Sequence, residues 1–366
     1  MYKLFMIGHT GKKGGVETYI DNLSDTLEGF EIIYNRPEMN INGTVWRRPK
    51  NRHHYFQYRA FWNRFFRENR FDVLYYNTCD VVSIDMLTFA KKAGIPVRII
   101  HSHNSGTQQA ICRKPSLFHR LTEQYNRKVL DQYATHFFAC SRVAGDWMFD
   151  GRPYTVIKNG IHISKYSFSE KKRRILRQSL GLENELLVGI VGRMSPSKNP
   201  SLSVRILHSL IKKLPDANAV FLGDGELRQQ TEDAVREARI QDNVHFLGNV
   251  NNVNEWLSAM DVLLMPSLFE GLPFALVEAQ ANGLPCIVSS AVSGEADLTG
   301  LIQFVDLREA PQKWADRILQ ADTQSRPDTH RQLIDAGYSI EDTASFVGEI
   351  LSDGLKKQYG RGHDGF

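Results

Sequence analysis

The chain has little cysteine. Only Cys79, Cys112, Cys140 and Cys286 occur in 366 residues, far apart and with no C-x-x-C pair. That excludes a disulfide scaffold and a zinc ribbon, and it suits a reducing cytoplasm. No apolar run nears the roughly 18 residues that a membrane-spanning helix needs. The opening segment MYKLFMIGHT is too short and too soon interrupted to read as a signal peptide. Low-complexity stretches and short-period repeats are also lacking. With 42% hydrophobic and 23% charged residues, the composition is globular, and the length predicts two domains or three.

Acidic residues are scarce in one half only. The net charge is +4, but residues 1–165 sum to +10 and residues 166–366 to −6. Such asymmetry predicts a division of labour, with an anionic or membrane partner on the first half.

Short apolar runs alternate with helical periods through both halves. Lys3–Gly8, Glu31–Tyr34, Asp72–Tyr76, Pro96–Ile100, His136–Cys140 and Thr155–Ile157 read as strands. Helices are expected over Val16–Leu27, Tyr55–Phe66, Ser83–Lys92 and Ser116–Tyr133. The alternation stops at Lys158–Ser179, where an Asn159–Gly160 turn and a dense run of cations predict a linker over residues 161–180. It resumes with Leu186–Val191, Ala219–Leu222, Val244–Phe246, Val262–Met265 and Cys286–Val288. The class is therefore α/β: two Rossmann-like, doubly wound units, residues 1–160 and 181–339, facing a central cleft. In open sheets of this kind ligands bind beyond the carboxyl ends of strands. Residues that follow strands are the candidates.

Four segments meet that condition. Gly8–Val16 (GHTGKKGGV) has glycines that let backbone approach a phosphate or sugar. Its spacing is neither G-x-G-x-x-G nor a Walker A loop, and a ligand-free turn is the plain alternative. His101-Ser-His103-Asn-Ser105 offers histidines to a substrate, or else a helix cap. Arg193 and Lys198, in GRMSPSKNP, would neutralise a diphosphate if they converge. Phe269–Ala279 (FEGLPFALVEA) places Glu270 in a loop and Glu278 about a turn into a helix. The amides of Phe274, Ala275 and Leu276 would be free donors at that helix start.

A fifth segment is a surface. Residues 46–70 carry eight cations, eight aromatics and one acid, Glu68. Arg47, Arg48, Lys50, Arg52, Arg59 and Arg64 would face a lipid phosphate, a lipid-linked acceptor or an anionic membrane. Otherwise the segment is an amphipathic helix with aromatics in the core. A nucleic-acid surface is the weaker reading.

In this order the motifs resemble those of the retaining glycosyltransferases of family 4, of GT-B fold, and most of all bacterial exopolysaccharide and capsule enzymes. The residues carrying the resemblance are GGVETYI at Gly14–Ile20, HSHNS at His101–Ser105 and ACS at Ala139–Ser141. They continue with KNGI at Lys158–Ile161, VGRMSPSKN at Val191–Asn199 and GDG at Gly223–Gly225. FEGLPFALVEAQANGLP at Phe269–Pro285 is the last. The resemblance implies roles. Gly14 and Gly15 would approach the donor diphosphate and acceptor. His103, or else His101, would contact the transferred sugar, and Arg193 and Lys198 the phosphates. Glu270 would hold sugar hydroxyls, Glu278 the ribose, and the amides of Phe274–Leu276 phosphate or sugar. Val250 would lie near the base. Leu272, Pro273 and Phe274 depart from the family's glycine-rich run, which bears on donor identity. The last segment, residues 340–360, would cross back to the first domain.

The implied reaction moves a sugar, with retention, from a uridine-linked donor to a growing glycan or polyprenyl-linked acceptor. It needs no metal or other cofactor. The enzyme would be cytoplasmic, or peripheral on the inner face of the membrane, without a nucleic-acid partner. A GT-B sugar-nucleotide 2-epimerase and a non-catalytic nucleotide-sugar-binding scaffold are the alternatives.

Overall fold

Strands covered on both faces should be apolar throughout, and the apolar runs of this chain do pair into two parallel sheets. The computed structural model describes residues 1–9, 14–49, 55–104, 116–270 and 273–359. One unit is Met1–Gly160 together with the C-terminal helix that starts at Ile340; the other is Ile161–Ser339.

The first unit contains β1 (Tyr2–Ile7), β2 (Phe30–Tyr34), β3 (Glu38–Ile41), β4 (Thr44–Arg47), β5 (Val73–Thr78), β6 (Val97–Ser102), β7 (His136–Ala139) and β8 (Thr155–Val156). Six of them form a parallel sheet in the order β2-β1-β5-β6-β7-β8. β3 and β4 make a separate antiparallel hairpin that sequence reasoning did not foresee. Its turn is Asn42–Gly43, with φ of 50° and 79°. Positive φ at both turn residues matches the twist of the flanking strands.

Helix Tyr55–Glu68 buries Tyr58, Trp62, Phe65 and Phe66. Phe65 lies 5.2 Å from both Phe5 and Trp46, edge-on to the latter. With Trp46, five of the eight aromatics in the basic segment are therefore core. The C-terminal helix Ile340–Tyr359 packs on helix Gly15–Thr26. Its buried stripe is Ala344, Val347, Leu351 and Leu355, whereas Phe346 faces solvent.

The second unit contains β9 (Leu187–Val191), β10 (Asn218–Leu222), β11 (Val244–Gly248), β12 (Val262–Met265), β13 (Cys286–Ser289) and β14 (Ile302–Val305). All pair in parallel, in the order β11-β10-β9-β12-β13-β14.

The expected linker over residues 161–180 is not one. Ile163–Tyr166 is a 3-10 turn and Glu170–Ser179 an α-helix, both within the second unit. The cations that suggested a linker are partly buried. Arg173 and Arg177 reach Asp261 at 2.6 and 3.1 Å, and Arg177 is 3% exposed. Asp261 also accepts from the Leu187 amide at 2.7 Å. One buried carboxylate thus fastens the helix to the start of β9. Removing it strands two guanidiniums in a low-dielectric setting. We expect Asp261→Ala to destabilise this unit by about 3–5 kcal/mol in urea unfolding; a change near zero would overturn the role.

Candidate active site

Each sheet winds both ways from its first strand. The order reverses between β1 and β5 in one unit and between β9 and β12 in the other. Chains leaving such neighbouring strands diverge and open a crevice at their carboxyl ends. The candidate residues concentrate at these two places.

In the second unit the loops after β9 and β10 lock through backbone. Gly192 N donates to Leu222 O at 2.9 Å, Gly223 N to Gly248 O at 2.7 Å and Met194 N to Asp224 O at 3.0 Å. A Cβ on Gly223 (φ +130°) would sit 2.1 Å from Gly192 O, so only glycine fits. The loops after β9 and β12 are joined too, by Leu268 N to Ser197 O at 2.8 Å. That brings Lys198 Nζ within 2.7 Å of Glu270 Oε1, both largely shielded.

Arg193 and Lys198 line one small cavity with Gly192, Met265 and Ser267. The Arg193 side chain itself extends outward to Glu226 at 3.0 Å. Val250 follows β11 and packs partly buried on the core. Helix Phe274–Ala281 starts beyond β12, where residues 271–272 lie outside the described set. The expectation of three free amides is corrected at one position. Leu276 N donates to Pro273 O at 3.0 Å and is spent within the first turn.

Glu278 is buried on that helix and accepts from the Tyr166 hydroxyl at 2.8 Å. Burial pushes its carboxyl up to about 6; the tyrosine bond opposes the shift. Tyr166 was not singled out from sequence. A tyrosine six residues after a turn carries no signal of a carboxylate 112 positions away.

In the first unit, Gly14 caps helix Gly15–Thr26, and Gly14 O accepts from Thr18 N at 2.9 Å. Thr10–Lys13 of that loop lie outside the described residues. β5 and β6 pair Asn77 with His101. Alternation then puts Tyr75, Asn77, His101 and His103 on one face. A polar chain runs along it: Tyr19 to Tyr75 at 2.8 Å, Tyr75 to His101 Nδ1 at 3.0 Å, and His103 Nε2 to Asn77 Oδ1 at 2.9 Å. The two imidazoles lie 4.0 Å apart. Burial pushes His103 down to about 3 and His101 well below the usual range. Both rings are neutral at physiological pH. His103 is therefore suited to accept a hydrogen bond at its bare ring nitrogen, not to take up a second proton. Among the described residues no group of three or more His, Cys, Asp or Glu is arranged to hold a metal.

Residues 13–165 match the family described as Glycosyltransferase Family 4, and residues 172–339 match Glycosyl transferases group 1. The chain belongs to these glycosyltransferases. It is 29% identical over 282 residues to the glycosyltransferase EpsF of Bacillus subtilis, across 74% of this chain and 72% of that protein. It is 35% identical over 145 residues, 38% of each chain, to an Escherichia coli UDP-Gal:alpha-D-GlcNAc-diphosphoundecaprenol alpha-1,3-galactosyltransferase. Anabaena HepE in complex with UDP-glucose has the same fold, at TM-score 0.74 and 19% identity, covering 96% of this chain and 100% of that one. The GT-B architecture expected from the motifs is the one observed.

The glycosyltransferase uses its basic surface residues differently from one another. Arg47 pairs with Glu38 at 3.2 Å, Arg48 donates to Asn35 at 3.2 Å, Arg59 to the Tyr55 hydroxyl at 2.9 Å, and Arg64 pairs with Glu68 at 2.8 Å. Arg47 and Arg64 also border a surface cavity of about 410 Å³ between the hairpin and helix Tyr55–Glu68. Lys50 and Arg52 lie outside the described residues. Sequence reasoning missed a second surface. Helix Leu117–Val129 turns Leu117, Phe118, Leu121 and Tyr125 to solvent, with Phe118 76% exposed. Their spacing was legible as one apolar face.

A carboxyl raised in the folded state binds its proton more tightly there than in the unfolded chain. Its stabilising contribution is full below the unfolded value and is lost as pH rises through about 6. We expect Glu278→Gln to raise stability above pH 7 by roughly 2 kcal/mol, the gain vanishing below about pH 5. Thermal melts from pH 5 to 8 measure it; a gain independent of pH would refute the shift.

Proposed function

We propose that this glycosyltransferase moves a sugar from a nucleotide-sugar donor, uridine-linked, to a growing glycan or polyprenyl-linked acceptor in cell-surface polysaccharide synthesis, with retained anomeric configuration and no metal. The observation that carries this reading is the Lys198–Glu270 pair at the reversal point of the second sheet, with Arg193 on the same loop. An ammonium on a phosphate-facing loop can replace a metal at a leaving diphosphate, and a carboxylate beside it can hold sugar hydroxyls. The relatives support the same reading: one galactosyltransferase takes UDP-Gal and a diphosphoundecaprenol-linked acceptor, and HepE was solved with UDP-glucose.

In the reaction proposed, the bond from the anomeric carbon to the phosphate oxygen breaks as negative charge builds on the leaving diphosphate. Lys198 and Arg193 stabilise that charge. The acceptor hydroxyl forms its bond on the same face, and its proton passes to the departing phosphate oxygen. Glu270 orients sugar hydroxyls, Glu278 the ribose, and Gly14, Gly15, Phe274 and Ala275 offer backbone to phosphate or sugar. Val250 borders the base. His103 accepts from a hydroxyl of the transferred sugar.

A panel of labelled nucleotide sugars with a polyprenyl-linked acceptor tests this by mass spectrometry and by NMR of the product's anomeric configuration. We expect transfer from a UDP-sugar that survives EDTA. Lys198→Ala and Glu270→Ala should each lower kcat/KM by about 100-fold or more; unchanged turnover in both would sink the site. A sugar isomer formed without acceptor would favour the epimerase instead.

We also propose that the first unit meets an anionic membrane through the exposed face of helix Leu117–Val129 and the basic segment near Arg47. Among the described residues no helix is long and apolar enough to cross a membrane, so attachment would be peripheral. We expect sedimentation with anionic vesicles that weakens with salt and falls several-fold in Phe118→Ser/Leu121→Ser. Equal binding by this variant would overturn the surface.

A further inference from the structure

The histidine proposed to face the sugar has its proton placed by a neighbour. Asn77 is 3% exposed at the end of β5. Its Nδ2 donates to the Ile7 carbonyl at 2.9 Å. A carbonyl only accepts, so the amide has one orientation, and Oδ1 is turned to His103 Nε2 at 2.9 Å. Oδ1 is likewise an acceptor only. Nε2 must carry the hydrogen, and Nδ1 keeps a bare lone pair. That Nδ1 is shielded from solvent and has no hydrogen-bond partner among the described residues. A buried acceptor without a donor is costly unless something supplies one.

The fold holds Asn77 firmly. Gly8 directly follows β1, and a Cβ there would stand 2.7 Å from Asn77 Cβ. The chain can pass over the asparagine only because that residue is glycine, and the Ile7 carbonyl is thereby brought to the amide. Tyr19 packs on His103 at 5.1 Å and His101 lies 4.0 Å away on the same face, so the ring has little freedom to turn.

We propose that Asn77 is a positioning residue that holds His103 in the Nε2–H tautomer, so that Nδ1 accepts a hydrogen bond from a hydroxyl of the transferred sugar. The proposal rests on the reading of His103 as a sugar-facing group. A hydroxyl that donates to a neutral imidazole becomes richer in electrons. That helps most when positive charge develops on the sugar ring, so the effect belongs to kcat more than to KM.

The test uses the full chain labelled with [15N]histidine at pH 8. The chain has 12 histidines, and the His103 signals are those lost in His103→Gln. We expect a protonated Nε2 and an unprotonated Nδ1. Asn77→Leu removes the acceptor and the tether to Ile7; it should give a mixture of tautomers and lower kcat by about tenfold with little change in donor KM. Asn77→Asp keeps an acceptor opposite Nε2 but loses the tether; it should keep the tautomer and most of kcat. A protonated Nδ1 in the unsubstituted protein would overturn the proposal. So would equal losses in the Asp and Leu variants with unchanged histidine signals, which is what a merely structural tether predicts. If Asn77→Leu does not fold, the spectra of the unsubstituted protein and of Asn77→Asp still decide. The nitrogen signals need no turnover, so an inactive donor panel would count against the proposed function and not against this assignment.

Discussion

The reversal of winding within each sheet is the constraint on which the candidate site depends. Two parallel neighbours whose following chains part leave carboxyl ends uncovered by any crossover helix. Backbone must then turn sharply in little space. Gly192 and Gly223 do so in the second unit with φ of 135° and 130°, and Gly8 does so in the first with φ of 119°. These glycines are not generic flexibility. A Cβ at Gly223 or Gly8 would come within 3 Å of backbone or side chain of a neighbouring segment. The close approach in turn aims the residues that follow: Lys198 toward Glu270, and Asn77 toward His103.

Charge is handled in two ways in the same unit. Asp261 is buried but receives two guanidiniums and a backbone amide, and burial with full pairing is the pattern of a structural anchor. Glu278 is equally enclosed, yet among the described residues its side-chain partner is a single neutral hydroxyl. Its carboxyl is therefore raised, and the ionised form costs the fold stability at neutral pH. A group that weakens the fold where a hydrophobic residue would strengthen it is the kind retained for binding. The neutral histidine pair of the first unit follows the same logic with opposite sign: burial removes the charge and leaves a lone pair for use.

Much of this was legible in the sequence. Strands read as apolar runs, loops with glycine and charge fell at their ends, and the order of motifs gave the fold. The misses share a cause, which is partnership at long range. The run of cations at 171–177 reads as a linker because its carboxylate, Asp261, comes some 84 to 88 residues later. Tyr166 was silent because Glu278 lies on a distant helix. The Leu276 amide looked free because only coordinates tell which carbonyl the first helical turn uses. The hairpin of β3 and β4 is different. Its Asn42–Gly43 dipeptide is a strong local turn signal, and it went unread because the flanking strands are four residues each and only partly apolar.

The two aromatic helices of the first unit show why composition alone does not locate a surface. Tyr55–Glu68 and Leu117–Val129 are both amphipathic and both carry cations. In the first, residues 62, 65 and 66 meet Phe5 beneath them, residue 58 meets Phe89, and the cations are left outside. In the second, residues 117, 118, 121 and 125 point outward, while the buried face presents Asn126, whose amide satisfies the Val81 and Val82 carbonyls. Periodicity identifies a face in each case but not which side is water. What decides is whether the sheet below offers apolar partners or unpaired carbonyls. At β1 it offers Phe5 to one helix, and in the loop that follows β5 the chain offers backbone oxygens to the other. The positive balance of residues 1–165 thus surrounds one apolar face that has been folded inward and one that has not.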